Sequence, residues 1–171
     1  AEGIPIYMYE HSAQIPERKN LAFLRKGEYE GLEEKLKLPE HYPDYGPKIL
    51  NKKFGAMVLG ARPFLIAYNV NLESKDVNIA KKIAKTIREK GFSDENGHHE
   101  GLLKGVKAMG WWMEEYQCAQ VSTNIFDTQL SDVKDVFDTV KNEAEKYNIE
   151  VKSSELIGLI PLSMIIQVGQ K

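Results

Sequence analysis

Cysteine is almost absent from this sequence, and long apolar runs are absent altogether. The single cysteine, Cys118, excludes an internal disulfide framework and is typical of a reducing compartment. No apolar run approaches the ~20 residues that a membrane-spanning helix needs, and the first residues lack the basic-then-apolar pattern of a secretory signal. These absences predict a cytoplasmic protein that has no membrane partner.

A strong excess of charge of either sign is also lacking. The formal net charge is −2 and the isoelectric point is about 6.1. Proteins that bind nucleic acid through bulk attraction for phosphate carry a basic field, so this class is disfavoured. An anionic ligand would have to meet a local basic patch. What is present, 171 residues of which 42% are hydrophobic, is enough for one globular domain or a domain plus part of another.

Residues 1–63 show one clear strand pattern, IPIYMY, near their start. Two short helices are predicted after it by leucines at helical spacing: Leu21, Leu24, Leu32 and Leu36. The next segment is rich in proline and glycine, and only AMVL in it is strand-like. A region of this kind buries little apolar surface by itself. We therefore expect it to pack against the rest of the chain or against a second chain, as in a homo-oligomer or a complex with a partner chain.

From Phe64 onward, strand and helix patterns alternate regularly. Alternation of apolar side chains predicts a strand over residues 64–71. The following segment predicts a helix that stops at Gly91, because one apolar stripe runs along it: Val77, Ala80, Ile83, Ala84 and Ile87. The polar, glycine-bearing segment SDENGHHEG then predicts a loop.

The last third of the sequence continues this alternation. LLKGVKAMGWWM and CAQVSTNIFD predict two strands of a hairpin. Ser131 is the predicted cap of a second helix that carries Asp132 in its first turn, and IEVKSSELIGLIP predicts a final strand. The order β-α-β-β-α-β predicts an α+β fold: a ferredoxin-like split βαβ subdomain over residues 64–171, preceded by a partial α/β subdomain over residues 1–63.

The predicted topology places both helices on one face of the sheet and makes the first and third strands neighbours. Seven side chains are then expected to face the helices: Phe64, Ile66, Tyr68, Val70, Val121, Thr123 and Ile125. Five polar side chains fall on the opposite face: Asn69, Asn71, Gln120, Ser122 and Asn124. Such a face is either solvated or occupied by a ligand. Because amides donate and accept hydrogen bonds, they suit a carboxylate, the edge of a pterin-like ring or an amidine.

Six blocks of the sequence match a known family. They are IPIYMYEHSA, RKGEYEGL, PDYGP, FGAMVLGARPFLIAYNVNL, AQVSTNIFD and SELIGLIP. They occur in the order, and at close to the spacings, found in glutamate formiminotransferase, so the chain resembles this family over nearly its whole length.

The resemblance implies an activity and an architecture. The family transfers a formimino group from N-formimino-L-glutamate to tetrahydrofolate in histidine degradation, with no metal expected. Its transferase unit has two α/β subdomains that meet at the folate and substrate site, and it is typically a dimer. By this likeness, residues 1–63 would be the C-terminal part of the first subdomain, and residues 64–171 would be most of the second.

The resemblance also implies binding residues. The folate-contacting segment falls on Gly46, Pro47, Lys48, Ile49, Leu50, Asn51, Lys52, Lys53, Phe54 and Gly55. Its lysines suit the carboxylates of a folate tail, although a solvated loop is the alternative. Arg62 could hold a substrate carboxylate or form an ordinary surface ion pair. Together with Arg62, the five polar side chains of the predicted sheet face are our candidates for substrate binding.

The family's acid/base histidine lies in a motif that precedes IPIYMYE, and no histidine of this sequence falls on it: His11, His41, His98 and His99. Amidine transfer needs a proton-transferring group with a pKa near neutrality. We therefore assign no catalytic residue to this sequence. We expect that it is an internal part of a longer enzyme and that the chain alone does not catalyse formimino transfer.

Two other function classes are open. The chain could be a non-catalytic ferredoxin-like module that binds a small molecule or mediates dimerisation. RNA binding on the sheet is disfavoured because QVSTN stands where an RNA-binding sheet would carry stacking aromatics.

Three smaller motifs are given structural interpretations. His98 and His99 stand among metal-ligand residue types, but adjacent histidines in a loop rarely converge on one ion, so we predict no metal site. Trp111 and Trp112 are predicted on opposite faces of a strand, and Cys118 is predicted to be a small core residue.

Overall fold

The computed structural model describes residues 3–170. Its internal contacts divide the chain into two compact units. Unit 1 extends to Arg62 and unit 2 begins at Pro63. Each unit has its own sheet, so each is described separately.

Unit 1 is built around two parallel strands, β1 (Ile6–Glu10) and β2 (Met57–Ala61). Between them in the chain lie two short helices, α1 (Leu21–Arg25) and α2 (Leu32–Lys35). The predicted strands and short helices of this region are thus confirmed. Two 3₁₀ turns were not anticipated: Pro16–Lys19 and Pro39–His41.

A buried ion pair lies at the centre of unit 1. Arg18 Nη1 is 2.6 Å from Asp44 Oδ1, and both side chains are less than a tenth exposed. Asp44 Oδ2 also accepts a hydrogen bond from the Met8 backbone N–H at 2.7 Å, and Arg18 Nη2 donates to the Tyr42 carbonyl at 2.6 Å. The pair therefore connects the first 3₁₀ turn, β1 and the loop after α2.

Unit 2 alternates strands and helices as predicted. Its elements in chain order are β3 (Ile66–Leu72), α3 (Val77–Ile87), β4 (Phe92–Asp94), β5 (Gly97–His99), β6 (Val106–Met113), β7 (Cys118–Ile125), α4 (Val133–Glu145), β8 (Val151–Ile157) and α5 (Leu162–Gln170). Without the small β4–β5 hairpin and the terminal α5, the order is the predicted β-α-β-β-α-β. The α+β class is therefore confirmed.

The main sheet of unit 2 has four strands in the order β6-β7-β3-β8, and every neighbouring pair is antiparallel. The prediction that the first and third strands of this order are adjacent is confirmed. These strands are β3 and β7, which pair from Ile66↔Ile125 to Asn71↔Gln120. The two amide-bearing strands therefore lie at the centre of the sheet.

One face of this sheet packs against the helices. Its buried core includes Ile66, Val70, Val121 and Ile125 from the central strands. Four of the five predicted stripe residues of α3 also belong to it, namely Ala80, Ile83, Ala84 and Ile87, whereas Val77 does not. Tyr68 packs against this core, and Thr123 is buried there and donates to the Tyr68 carbonyl. The alternation predicted for the central strands is thus confirmed except at Phe64.

Close packing of α3 on β6 depends on Gly110. A Cβ atom at this position would lie 2.2 Å from the Lys81 backbone nitrogen and 2.3 Å from the Ala80 carbonyl carbon. Such distances are far inside van der Waals contact, so only glycine lets the helix backbone approach the strand this closely.

Three details of the prediction were wrong. Phe64 lies before β3 and is 78% exposed, because β7 and β8 provide no partner beyond Ile66 and Ala67. The segment predicted as a loop contains the β4–β5 hairpin. The cap of α4 is Asp132 instead of Ser131, whose hydroxyl donates to the Lys104 carbonyl.

Among the described residues, no helix is both long enough and apolar enough to cross a membrane.

Candidate functional site

The candidate site is the sheet face of unit 2 that lies opposite the helices, which we call the open face. Strand register aligns its side chains in rows across the four strands. One row is Trp111, Gln120, Asn71 and Ser153; the next is Met109, Ser122, Asn69 and Glu155; a third is Lys107, Asn124, Ala67 and Ile157. All five predicted polar residues thus lie on one face.

A chain of hydrogen bonds runs along the first row. The Trp111 indole N–H donates to Gln120 Oε1 at 2.6 Å, Gln120 Nε2 donates to Asn71 Oδ1 at 2.7 Å, and Asn71 Nδ2 donates to Ser153 Oγ at 2.9 Å. Gln120 is fully buried and Asn71 nearly so. Buried amides need partners, and this row supplies them from all four strands.

Glu155 belongs to the second row and is the acceptor that links it to the first. Its Oε1 accepts from Gln120 Nε2 at 2.9 Å and from Asn69 Nδ2 at 3.1 Å, and its Oε2 accepts from the Tyr116 hydroxyl at 3.0 Å. Accepting this bond and bearing a negative charge, Glu155 raises the pKa of Tyr116 above its ordinary value. The carboxylate is therefore held in place by three donors on three different elements.

One oxygen on the open face lacks a partner. Asn69 is only 7% exposed, and its Oδ1 atom is buried and makes no hydrogen bond. Buried carbonyl groups are normally hydrogen-bonded, and leaving one unpaired costs about 1–3 kcal/mol. Asn69 Oδ1 therefore keeps its full capacity to accept a hydrogen bond.

The predicted residues differ in how deeply they lie. Asn69, Asn71 and Gln120 are buried in the network, Ser122 is half-buried, and Asn124 is exposed at the edge of the face. Four further residues belong to the network but were not predicted as site residues: Trp111, Tyr116, Ser153 and Glu155. Alternation along β6 and β8 carried a signal for all of these except Tyr116, since it places the three strand residues on the same side as the amides.

The lysine-bearing segment Gly46–Gly55 lies in unit 1, between the second 3₁₀ turn and β2. The Asn51 side-chain oxygen accepts from the backbone N–H groups of Lys53 and Phe54, and the Gly55 N–H donates to the Asn51 carbonyl at 2.7 Å. This tight turn holds Lys52 and Lys53 exposed at its tip.

The other side chains of the segment vary in exposure. Ile49 is 73% exposed, and Lys48 Nζ lies 3.8 Å from the centre of the Tyr42 ring. Arg62 is exposed at the end of unit 1, directly after β2. The segment is therefore an accessible basic loop on a rigid turn.

The segment that carries His98 and His99 is the exposed β4–β5 hairpin. His99 Nε2 lies 3.0 Å from Asp94 Oδ1, and the His99 ring stacks on Phe92 with ring centres 4.7 Å apart. The hydrogen bond from His99 lowers the pKa of Asp94. Within residues 3–170, no group of three or more histidine, cysteine or acidic side chains is placed to hold a metal ion.

Cys118 is buried, and burial raises the pKa of its thiol. The prediction that it is a core residue is confirmed. A thiol in this state is a weak nucleophile, since the thiolate is the reactive form.

Comparison with known proteins gives two matches to family models. Residues 1–62 match the "Formiminotransferase domain, N-terminal subdomain", and residues 67–171 match the "Formiminotransferase domain". The second model covers the sheet that carries the open face except for its first residue, Ile66.

Several proteins that are similar to this chain are named as formimidoyltransferases. The formimidoyltransferase-cyclodeaminase of Mus musculus is 43% identical over 98% of this chain, which covers 30% of that protein. The glutamate formimidoyltransferases of Streptococcus pyogenes serotype M1 and Thermoplasma acidophilum are 42% and 36% identical over 98% of the chain, which covers 53% of each. The chain thus spans about half the length of the shorter relatives. Since both units match family models and the likeness extends along nearly every residue, the chain belongs to the formiminotransferase-domain family.

Proposed function

We propose that this chain forms the folate- and formiminoglutamate-binding part of a glutamate formiminotransferase. In that reaction, which serves histidine degradation, a formimino group moves from N-formimino-L-glutamate to tetrahydrofolate. Residues 1–63 would be the C-terminal part of the first subdomain and residues 64–171 most of the second. The observation that carries the proposal is the open face, whose buried amides and carboxylate form one connected network within the segment that matches the family model.

The open face suits the formimino donor. Attack by a folate nitrogen on the formimino carbon gives a tetrahedral adduct, from which the glutamate amine leaves. Amide and carboxylate groups that are already oriented can hold such a substrate without reorganisation. We assign Asn69, Asn71, Gln120, Ser122 and Asn124 to substrate binding. The resemblance assigns the acid/base histidine to a motif outside this sequence, so we give no residue of this chain a proton-transfer role.

The basic loop suits the folate tail. Lys48, Lys52 and Lys53 are exposed, and an ammonium group binds a carboxylate more strongly than it binds a neutral acceptor. We propose that segment Gly46–Gly55 contacts tetrahydrofolate through these lysines and that Arg62 contacts a substrate carboxylate.

Titration of the chain with tetrahydrofolate in a calorimeter tests the proposal. We expect saturable binding that becomes roughly tenfold weaker in the double variant Lys52→Ala/Lys53→Ala, because two charge-assisted contacts are lost. Lys141→Ala, an exposed lysine on α4 of unit 2, is the control and should bind as the parent does. A chain that binds no tetrahydrofolate would refute the proposal and favour a non-catalytic module.

We further propose that the chain forms a homo-oligomer, as the resemblance implies. An apolar patch on α5 and the preceding loop supports this: Leu159 is 89% exposed, Leu162 72% and Ile166 52%. Patches of this kind commonly mark interfaces. Sedimentation velocity should show a mass that falls in Leu162→Lys but not in Gln167→Lys, which adds the same charge away from the patch on the same helix. A monomeric parent chain would exclude self-association.

A further inference from the structure

Glu155 is the one carboxylate within the three rows of the open face. The third row carries one ammonium group, Lys107, whose Nζ lies 5.2 Å from the centre of the Phe126 ring. A second, Lys152, lies beside the rows and donates to the Tyr116 carbonyl at 3.4 Å. The middle of the face is therefore negative, and its other groups are neutral amides and hydroxyls. A ligand carboxylate placed there would be repelled by Glu155.

Two groups fix the orientation of every buried amide, because one can only donate a hydrogen bond and the other can only accept. The Trp111 indole can only donate, so Gln120 must turn its oxygen towards it and its nitrogen towards Asn71 and Glu155. Ionised Glu155 can only accept, so Asn69 must turn its nitrogen towards it. Reversing Asn69 would set two oxygens against each other, which fixes Asn69 Oδ1 as the unpaired atom.

The groups on this face with unused hydrogen-bonding capacity are acceptors, so they can receive further donors. An ionised carboxylate has about four lone-pair sites, and Glu155 receives three donors, two on Oε1 and one on Oε2. Oε2 thus has room for one further N–H, and Asn69 Oδ1 accepts none. Glu155 is half-exposed and reachable, whereas contact with the buried Asn69 oxygen requires the side chains around it to move.

We propose that Glu155, together with Asn69 Oδ1, binds the cationic amidine end of the formimino donor and so selects that group by charge. This rests on the proposed function, since it names which end of the substrate meets the open face. A protonated amidine carries one positive charge and several N–H groups in a plane, which match a carboxylate and a neighbouring carbonyl oxygen. The carboxylates of the same substrate then bind away from the centre of the face. Glu155 is a substrate-binding residue in this account, and the proton transfers are left to other groups.

The test compares two ligands that differ in charge at one atom. N-formimino-L-glutamate carries the cationic amidine. N-formyl-L-glutamate has oxygen in place of one amidine nitrogen, so the corresponding group is a neutral amide. We expect the chain to bind the cationic ligand at least tenfold more tightly. Glu155→Gln should remove that preference, since the affinity for the cationic ligand falls at least tenfold while the affinity for the neutral ligand changes less than twofold.

The variant is expected to fold. The new amide oxygen can accept from Asn69 and Gln120, and its nitrogen can donate to the Tyr116 hydroxyl, so the network keeps its partners. Near-ultraviolet circular dichroism checks this. Tyr116→Phe is a second variant that keeps the carboxylate, so the preference should remain. Glu145→Gln, the same change at an exposed position of α4, is the control.

The outcomes separate this inference from the proposed function. If Glu155→Gln lowers the affinity for both ligands equally, or leaves the preference for the cationic ligand unchanged, then Glu155 is only structural. Either result would overturn the inference. A parent chain without preference for the cationic ligand would do the same. A chain that binds no tetrahydrofolate, but whose preference for the amidine depends on Glu155, would refute the proposed function and support the inference.

Discussion

The two units of this chain are stabilised in different ways. Unit 2 has an apolar core beneath a four-stranded sheet, to which both helices of the β-α-β-β-α-β order contribute. In the described part of unit 1, only Tyr7 and Leu36 are buried hydrophobic residues, and the centre is the Arg18–Asp44 ion pair. Burial of apolar surface stabilises a fold without directional demands, whereas a buried ion pair stabilises it only while both partners are present.

The comparison also shows where unit 2 places its polar groups. Its buried amides and Glu155 lie on the open face, across the sheet from the apolar core. In unit 1 the buried ion pair lies against a buried hydrophobic residue, with Arg18 Cζ 5.3 Å from the centre of the Tyr7 ring. The burial of these amides is therefore separable from the stability of the apolar core, which makes the open face available for binding.

The largest expected effect in this comparison comes from Asp44→Ala in unit 1. It leaves the Arg18 guanidinium buried without its carboxylate and removes the acceptor of the Met8 amide, so we expect a loss of about 3–5 kcal/mol. Hydrogen exchange at the His11 amide, which donates to the Ala61 carbonyl at 3.0 Å and does not contact Asp44, measures it within unit 1. Glu34→Ala breaks an exposed pair with Lys37 and serves as the control, which should change little. Similar exchange in both variants would mean that the buried pair does not stabilise unit 1.

The corresponding test of unit 2 is Gly110→Ala, which should cost about 1–3 kcal/mol because the added carbon forces α3 away from β6. Both tryptophans lie in β6, so urea unfolding followed by tryptophan fluorescence reports on this unit. The control is Gly169→Ala on α5, where a Cβ atom meets nothing within 4 Å. If Gly110→Ala is as stable as this control, the packing of α3 on β6 is looser than the structure indicates.

A third prediction separates the open face from the core. Asn71→Ala removes the acceptor of Gln120 Nε2 and the donor to Ser153, and should destabilise unit 2 by about 1–2 kcal/mol. The loss is limited because Gln120 keeps its bonds to Trp111 and Glu155. Asn124→Ala, at the exposed edge of the same face, is the matched control. A loss as large as that of Asp44→Ala would mean that the open face is part of the core.

Much of the fold of unit 2 could be predicted because alternation and helical stripes are local signals. The faces of β3 and β7 follow from a period of two, and the buried stripe of α3 from its helical period. The β4–β5 hairpin also had a local signal, the dipeptide Asn96-Gly97, which is typical of hairpins. In the structure the two turn residues are Glu95 and Asn96, and Gly97 pairs with Asp94.

What could not be predicted depends on contacts between distant residues. Ser131 and Asp132 are both good helix caps, and the choice of Asp132 is fixed by the Lys104 carbonyl, which occupies the Ser131 hydroxyl. Alternation puts Glu155 and Ser153 on one face of β8, but the register that sets Glu155 opposite Asn69, 86 residues away in the sequence, is what identifies this face as the open face. The unpaired Asn69 oxygen requires knowledge of every bond around it.

The smallest effect concerns Tyr116, at the rim of the open face. Its pKa is raised because its hydroxyl donates to Glu155 and lies near that negative charge. A raised pKa means that the bond stabilises the fold while Tyr116 is protonated, so this contribution is complete below the ordinary value near 10 and is lost as the pH rises through the higher folded value. Glu155→Gln should bring the pKa of Tyr116 down towards its ordinary value, and Glu145→Gln should leave it raised. Titration of the Tyr116 ring carbon by NMR measures both. An unchanged Tyr116 pKa in Glu155→Gln would mean that the hydroxyl does not bind the carboxylate, and that Oε2 carries one donor fewer than the amidine proposal assumes.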